Sequence, residues 1–196
     1  MSRRAAYTLV AVVGLVLGGC GTAPLRTEGP AADQSALRAL AHWRLDGRIA
    51  VQTPKEAIQA GLFWEHEGTQ DRLRLSGPLS QGTVSIVVQP DVVLIRDSAG
   101  RTTMSRDVEQ ALKRELGVAV PVASLRWWVT GLPEPDVTGE ARYDASGRLQ
   151  RLDQRGWQIE FERFVSVGGL SLPQKMAAQG GDIKLKLVVD DWSVPR

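Results

Sequence analysis

Trp43-Arg44-Leu45-Asp46-Gly47-Arg48-Ile49-Ala50-Val51 decides how the fold is read. Trp43, Leu45, Ile49 and Val51 alternate with Arg44, Asp46, Arg48 and Gln52. A period of two is the signature of a strand with one buried face, because successive side chains point to opposite sides of a sheet. Working outward, Ile58, Ala60, Leu62 and Trp64 repeat the alternation, as do Leu73 with Leu75 and Val84 with Ile86 and Val88. Residues 92–95 add a shorter apolar run. Turn residues separate these runs, and antiparallel neighbours are the simplest connection.

The pattern then changes. Asp97-Ser98-Ala99-Gly100 reads as a hairpin turn, and Ser105 as a helix N-cap. Val108, Ala111, Leu112 and Leu116 have helical spacing, with Asp107 and Glu109 placed for the first turn and Gly117 for the stop. A second helix is predicted over 122–129, between Pro121 and Gly131, and a short one over 35–42. Strands resume over 141–143, 148–154, 157–165 and 183–190, with 172–178 expected as an edge strand because of Pro173. The count is about ten strands and three short helices. A sheet that long must curl or close. The fold class is mainly β with a few helices (α+β), and helices on the concave side of a curled sheet leave an interior space.

Before the first helix, Arg3 and Arg4 precede an apolar run over 9–17, broken only by Gly14. That run is too short to span a bilayer, which takes roughly 20 residues, and reads as a secretory signal. Leu17-Gly18-Gly19-Cys20 resembles a bacterial lipobox. The resemblance implies cleavage before Cys20 and acylation of that cysteine. In lipoproteins of enteric bacteria an Asp after the cysteine implies inner-membrane retention, so Gly21 points to the outer membrane. The expected organisation is a signal peptide over 1–19, a lipidated N-terminus and flexible linker over 20–34, and one domain over 35–196.

Composition narrows the function. Cleavage would remove Arg3 and Arg4 and leave 22 basic and 22 acidic residues. A neutral domain without a basic run has little attraction for nucleic acid. A single cysteine forbids an intramolecular disulfide and a cysteine-rich zinc site. His42 and His66, the only histidines, lack a partner at ligand spacing and are expected at solvated strand ends or loops. No nucleophile elbow or P-loop is present. Glu134 with Asp136 and Asp190 with Asp191 are read as exposed carboxylates. The chain reads as neither an enzyme nor the holder of a cofactor or metal.

The six tryptophans carry more information. Each taken singly is best read as core, but as a set they can line an apolar pocket. Ser76-Gly77-Pro78-Leu79-Ser80-Gln81-Gly82 is a turn between strands, and turn chemistry alone would fold Leu79 back as a plug.

Several segments together resemble the outer-membrane lipoprotein receptor family LolB. They are the opening stretch at Trp43, Leu62-Phe63-Trp64, Gly77-Pro78-Leu79 and Leu116-Gly117-Val118-Ala119-Val120-Pro121-Val122. Leu125-Arg126-Trp127-Trp128-Val129-Thr130-Gly131-Leu132-Pro133 follows, then Gly156-Trp157, Leu172-Pro173 and the closing Lys184-Leu185-Lys186-Leu187-Val188-Val189-Asp190-Asp191-Trp192. The resemblance implies an incomplete antiparallel β-barrel enclosing a hydrophobic cavity covered by helices. It implies a lipid-anchored domain facing the periplasm, which accepts acylated lipoproteins from the carrier LolA and inserts them into outer-membrane lipid. The domain is expected to act as a monomer.

In that family a Leu just after Pro in a protruding loop is needed for insertion, which reverses the plug reading of Leu79. The family usually has Gly after Pro-Leu, where this chain has Ser80, leaving Gly82 for the permissive role. The acyl-chain cavity is expected among Trp64, Leu112, Trp127, Trp128 and Trp157. The alternatives are an envelope lipoprotein that binds a free lipid in the same half-barrel, a structural lipoprotein with a packed core, and an enzyme.

Overall fold

β1 (His42–Gln52) has β2 (Ala57–Glu67) on one side and β11 (Ile183–Ser193), the last strand, on the other, both antiparallel. The computed structural model describes residues 31–77, 82–117 and 120–195. Cys20, Pro78, Leu79 and Ser80 lie outside them, as do the signal peptide and most of the linker. From β2 the chain continues through β3 (Gln70–Ser76), β4 (Thr83–Gln89), β5 (Val92–Arg96) and β6 (Thr102–Ser105). Two helices follow, α2 (Val108–Leu116) and α3 (Val122–Val129). β7 (Gly139–Tyr143), β8 (Leu149–Gln154), β9 (Trp157–Val167) and β10 (Leu170–Gly180) then lead back to β11. The eleven strands form one sheet in the order β6-β5-β4-β3-β2-β1-β11-β10-β9-β8-β7. β6 and β7 do not pair with each other, so the barrel is incomplete.

The alternation read from the sequence becomes rows across the sheet. Trp192, Leu45, Trp64, Leu73, Ile86 and Ile95 stand opposite one another on six successive strands, and all are buried. They face the concave side, where the helices lie. α1 (Ala31–Arg38) packs on β10, α2 on β5 and β6, and α3 on β10. Leu37 of α1, Ala111 and Leu112 of α2, and Val122, Leu125, Trp128 and Val129 of α3 join the core.

Four local expectations need correction. β6 was not anticipated: Thr102-Thr103-Met104-Ser105 is a short edge strand with Met104 exposed, so it carries no apolar alternation. The N-cap of α2 is therefore Asp107, whose carboxylate accepts from the Gln110 amide at 2.9 Å. The first helix is Ala31–Arg38 rather than 35–42, because His42 already belongs to β1. The strand containing Pro173 is interior, between β9 and β11. A register irregularity between Pro173 and Lys175 accommodates the missing N–H. The Pro173 carbonyl accepts from Trp192 Nε1 at 2.9 Å.

α3 is tied to β8 through a buried amide. Trp128 Nε1 donates to Gln154 Oε1 at 3.0 Å, and the Glu134 amide donates to the same oxygen at 2.9 Å. Gln154 Nε2 donates to the carbonyls of Glu134 (3.0 Å) and Val137 (2.9 Å). The Glu134 side chain accepts from Ser124 Oγ on α3 at 2.8 Å and from Arg155 Nη2 at 2.9 Å. Glu134 is thus a largely covered, paired carboxylate and not the exposed one expected from sequence. Burial pushes its carboxyl up, but the hydrogen bonds from Arg155 and Ser124 and the charges of Arg155 and Arg126 outweigh it and hold the group below the ordinary carboxylate range.

Gly47 sits at a register irregularity against β11, where a Cβ would run into the Val188 carbonyl oxygen. Gly61 has only Ser76 near its missing Cβ, at 3.8 Å. Gly47→Ala is expected to cost about 2 kcal/mol and Gly61→Ala close to nothing, as read by urea unfolding. The lowered Glu134 group stabilises the fold above the ordinary carboxylate range, and this contribution is lost as pH falls through its folded value. Glu134→Gln should therefore cost about 1–2 kcal/mol at pH 7, with the half-exposed Arg155 partly screened. The difference in thermal unfolding between the two proteins should narrow as pH falls below the ordinary carboxylate range.

Candidate functional site

The concave side of the sheet does not close on itself completely. A cavity of about 110 Å³ remains, lined only by apolar residues. Ile49 and Val51 enter from β1, and Ile58, Ala60, Leu62 and Trp64 from β2. Leu73 and Leu75 come from β3, Ile86 from β4 and Leu185 from β11. Leu112 of α2, Val120, and Val122 and Leu125 of α3 form the cover. A space walled this way stays dry and takes apolar guests. Ile58 is 38 % exposed and marks where the cavity meets solvent. It lies three residues before Gly61, which pairs with Ser76, the last residue of β3. The mouth is therefore at the end of the sheet that carries the β3–β4 connection, whose base is closed by the Gly77 amide donating to the Gly82 carbonyl at 3.1 Å.

The opposite end is closed by aromatic rings. Trp43 lies 5.3 Å from Trp64, 5.6 Å from Trp192 and 5.3 Å from the His66 ring, with which it is stacked. Beside this cluster sits Asp71, whose carboxylate has no solvent exposure. Trp64 Nε1 donates to Asp71 Oδ1 at 3.0 Å, and His66 Nδ1 lies 2.9 Å from the same oxygen. Arg126 of α3 brings its Nε to 3.3 Å from Oδ2. This last contact is ionic rather than a hydrogen bond, since neither atom has a hydrogen-bond partner. His66, expected in a solvated position, is thus buried and belongs to the aromatic cluster around Trp43. The sequence held a signal for this cluster, because Asp71 is in phase with Leu73 and Leu75 on the apolar face of β3.

Of the five side chains named from sequence, Trp64 and Leu112 meet at the cavity. Trp127, Trp128 and Trp157 are not among its lining residues. Trp128 is fully buried against Gln154, and Trp157 stands 6.3 Å from it near the start of β9, where it lines an open depression with Gln154, Gln158 and Gln179. Trp127 is partly buried against the core. At about 100° per residue Trp127 falls roughly 140° round α3 from Val122 and so leaves the cavity face, whereas Trp128, three residues after Leu125, stays on the buried face and is directed to Gln154 instead. The aliphatic lining was visible as alternation but not distinguishable from ordinary core. Among the described residues no group of three or more His, Cys, Asp or Glu side chains could hold a metal ion. Nor is any of their helices long and apolar enough to cross a membrane.

Comparison with known proteins agrees with this geometry. Residues 41–192 match the family model described as "Outer membrane lipoprotein LolB". The outer-membrane lipoprotein LolB of Stutzerimonas stutzeri (strain A1501) is 33 % identical over 193 residues, covering 94 % of this chain and 93 % of the relative. That of Nitrosococcus oceani is 34 % identical over 189 residues (92 % and 93 %), and that of Ectopseudomonas mendocina (strain ymp) is 35 % identical over 150 residues (76 % and 74 %). Among solved structures, a LolA superfamily protein from Nitrosomonas europaea superposes with a TM-score of 0.54 at 9 % identity, covering 84 % of this chain and 94 % of that one. That likeness is one of fold. With its family model spanning the whole sheet and its relatives aligning nearly end to end, this chain belongs to the LolB family of outer-membrane lipoproteins.

Proposed function

We propose that the domain takes the acyl chains of lipoproteins into the concave cavity, receiving them from the periplasmic carrier LolA, and delivers them to outer-membrane lipid without catalysing a reaction. The observation that carries this reading is the wholly apolar wall, open beside Ile58 at the end of the sheet bearing the β3–β4 connection. Each buried methylene is worth about 0.8 kcal/mol, so a chain of about 14 methylenes costs roughly 11 kcal/mol to expose to water. Cargo must stay covered throughout. No nucleotide is needed if the receptor holds the chain more tightly than the carrier, since about 1.4 kcal/mol gives a tenfold bias. A bilayer is a still deeper apolar sink. Leu79, beside the mouth in sequence, would enter that bilayer with Pro78 setting the turn, and Cys20 would hold the domain at the acceptor surface. Family membership does not favour the free-lipid binder as an alternative.

Transfer of a radiolabelled lipoprotein from purified LolA tests the reading. The unaltered chain should take up the label, and Leu112→Asp, which puts a carboxylate in the dry wall, should reduce uptake at least about tenfold. Leu79→Glu should leave uptake intact and stop release into liposomes. The exported Cys20→Ala chain should keep part of the transfer activity. Uptake by Leu112→Asp equal to that of the parent would place the acyl chain elsewhere.

A further inference from the structure

A cavity of about 110 Å³ is smaller than the ~150 Å³ apolar site that holds one benzene. An acyl chain therefore enters only if a wall moves. The walls differ in how they are held. α3 is fastened to the sheet by buried polar contacts on both flanks. Arg126 faces Asp71 on β3, and Trp128 donates to Gln154 on β8. β3 and β8 are six strands apart in the sheet, so the helix is a strut across the half-barrel. The Arg126–Asp71 contact is the one ion pair between a helix and the sheet among the described residues. Among the described residues α2 shows no such fastening. Its buried contacts are apolar, through Ala111 and Leu112, and its side-chain hydrogen bond to the sheet is the exposed one from Thr103 Oγ1 to Glu115 Oε1. It rests on β5 and β6, the free edge.

We propose that Asp71 is a positioning residue of the cavity: through Arg126 it pins α3 across the sheet, so that α2 alone swings outward to admit a chain. Moving α3 would strand a buried carboxylate and a buried indole N–H, which is costly. Moving α2 exposes a few aliphatic groups, and the incoming chain covers them again. Trp64 belongs to the same device. Its indole is held by Asp71 Oδ1, so the carboxylate fixes a wall residue and the strut together. The entry of an acyl chain rests on the function proposed above, whereas the unequal fastening of the helices does not.

Hydrogen exchange with mass spectrometry on the exported full chain carrying Cys20→Ala separates these points. Without ligand, amides of 122–130 should exchange at least about tenfold more slowly than those of 108–117. Arg126→Met, which keeps the apolar stem and removes the charge, should bring α3 to the rate of α2 and leave α2 unchanged. Arg126→Lys, with stem and charge, should return α3 to within about threefold of the parent. If Arg126→Met does not fold, Asp71→Asn combined with Arg126→Met removes the stranded charge and should show the same loosened α3. Adding palmitate should change exchange in α2 and not in α3. Equal rates for the two helices in the ligand-free parent, or equal effects of Arg126→Met and Arg126→Lys, would overturn the pinning. An α3 that responds to palmitate as α2 does would overturn the division of labour. Palmitate without effect on either helix would refute the acyl-chain entry while the ligand-free rates still judge the pin.

Discussion

An apolar cavity in water is a space that its own walls would gain by filling. At about 24 cal/mol per Å³, keeping 110 Å³ open costs roughly 2–3 kcal/mol. Something must stop the walls from collapsing inward. In this fold the resistance comes from the curvature of an eleven-stranded sheet and from one helix braced across it. The brace ends on buried polar partners, Asp71 on one flank and Gln154 on the other. Apolar packing alone would not do this, since aliphatic contacts slide at little cost, whereas a hydrogen bond is directional and a buried charge parted from its counter-ion is strongly penalised.

The open edges complement the brace. β6 and β7 are short, four and five residues, and do not meet. Short edge strands resist adventitious pairing. β6 is also, with β5, the part of the sheet on which α2 rests. The half-barrel thus has a middle braced by buried polar contacts, with Trp43, Trp64 and Trp192 closing one end, and a rim near β5 and β6 where the buried helix contacts described are apolar. An acyl carrier needs both, because a wholly stiff cavity cannot admit its cargo and a wholly soft one would close.

Much of this was legible as periodicity. The alternation from Trp43 to Val51 placed the central strand, and its repeats placed most of the others. What escaped has physical reasons. β6 is exposed on an edge and so carries no alternation. Pro173 argued for an edge, but a register irregularity lets an interior strand accept it. The tryptophans could be counted and not assigned, because period two tells which face a residue takes and not whether that face is packed or hollow. Two of the five candidate cavity residues, Trp64 and Leu112, line the space, while Trp128 serves the strut instead. The lipidation and turn residues, Cys20, Pro78 and Leu79, lie outside the described structure and rest on resemblance.

Asp71 shows where pattern reading stops. A carboxylate in phase with Leu73 and Leu75 looks like an interruption of the apolar face. Replacing such a buried pair by apolar groups of similar size is often neutral or stabilising, so stability alone does not explain its presence. Its geometry offers another reason. One oxygen holds the indole of a cavity wall residue and the imidazole stacked on Trp43, and the other faces the guanidinium of the strut. An aliphatic residue could fill the same volume and specify none of these orientations. A cavity must keep its shape without cargo inside, so its walls cannot rely on mutual packing across the void. The orientation must come from groups outside the void that act on the wall from behind, and Asp71 occupies that place.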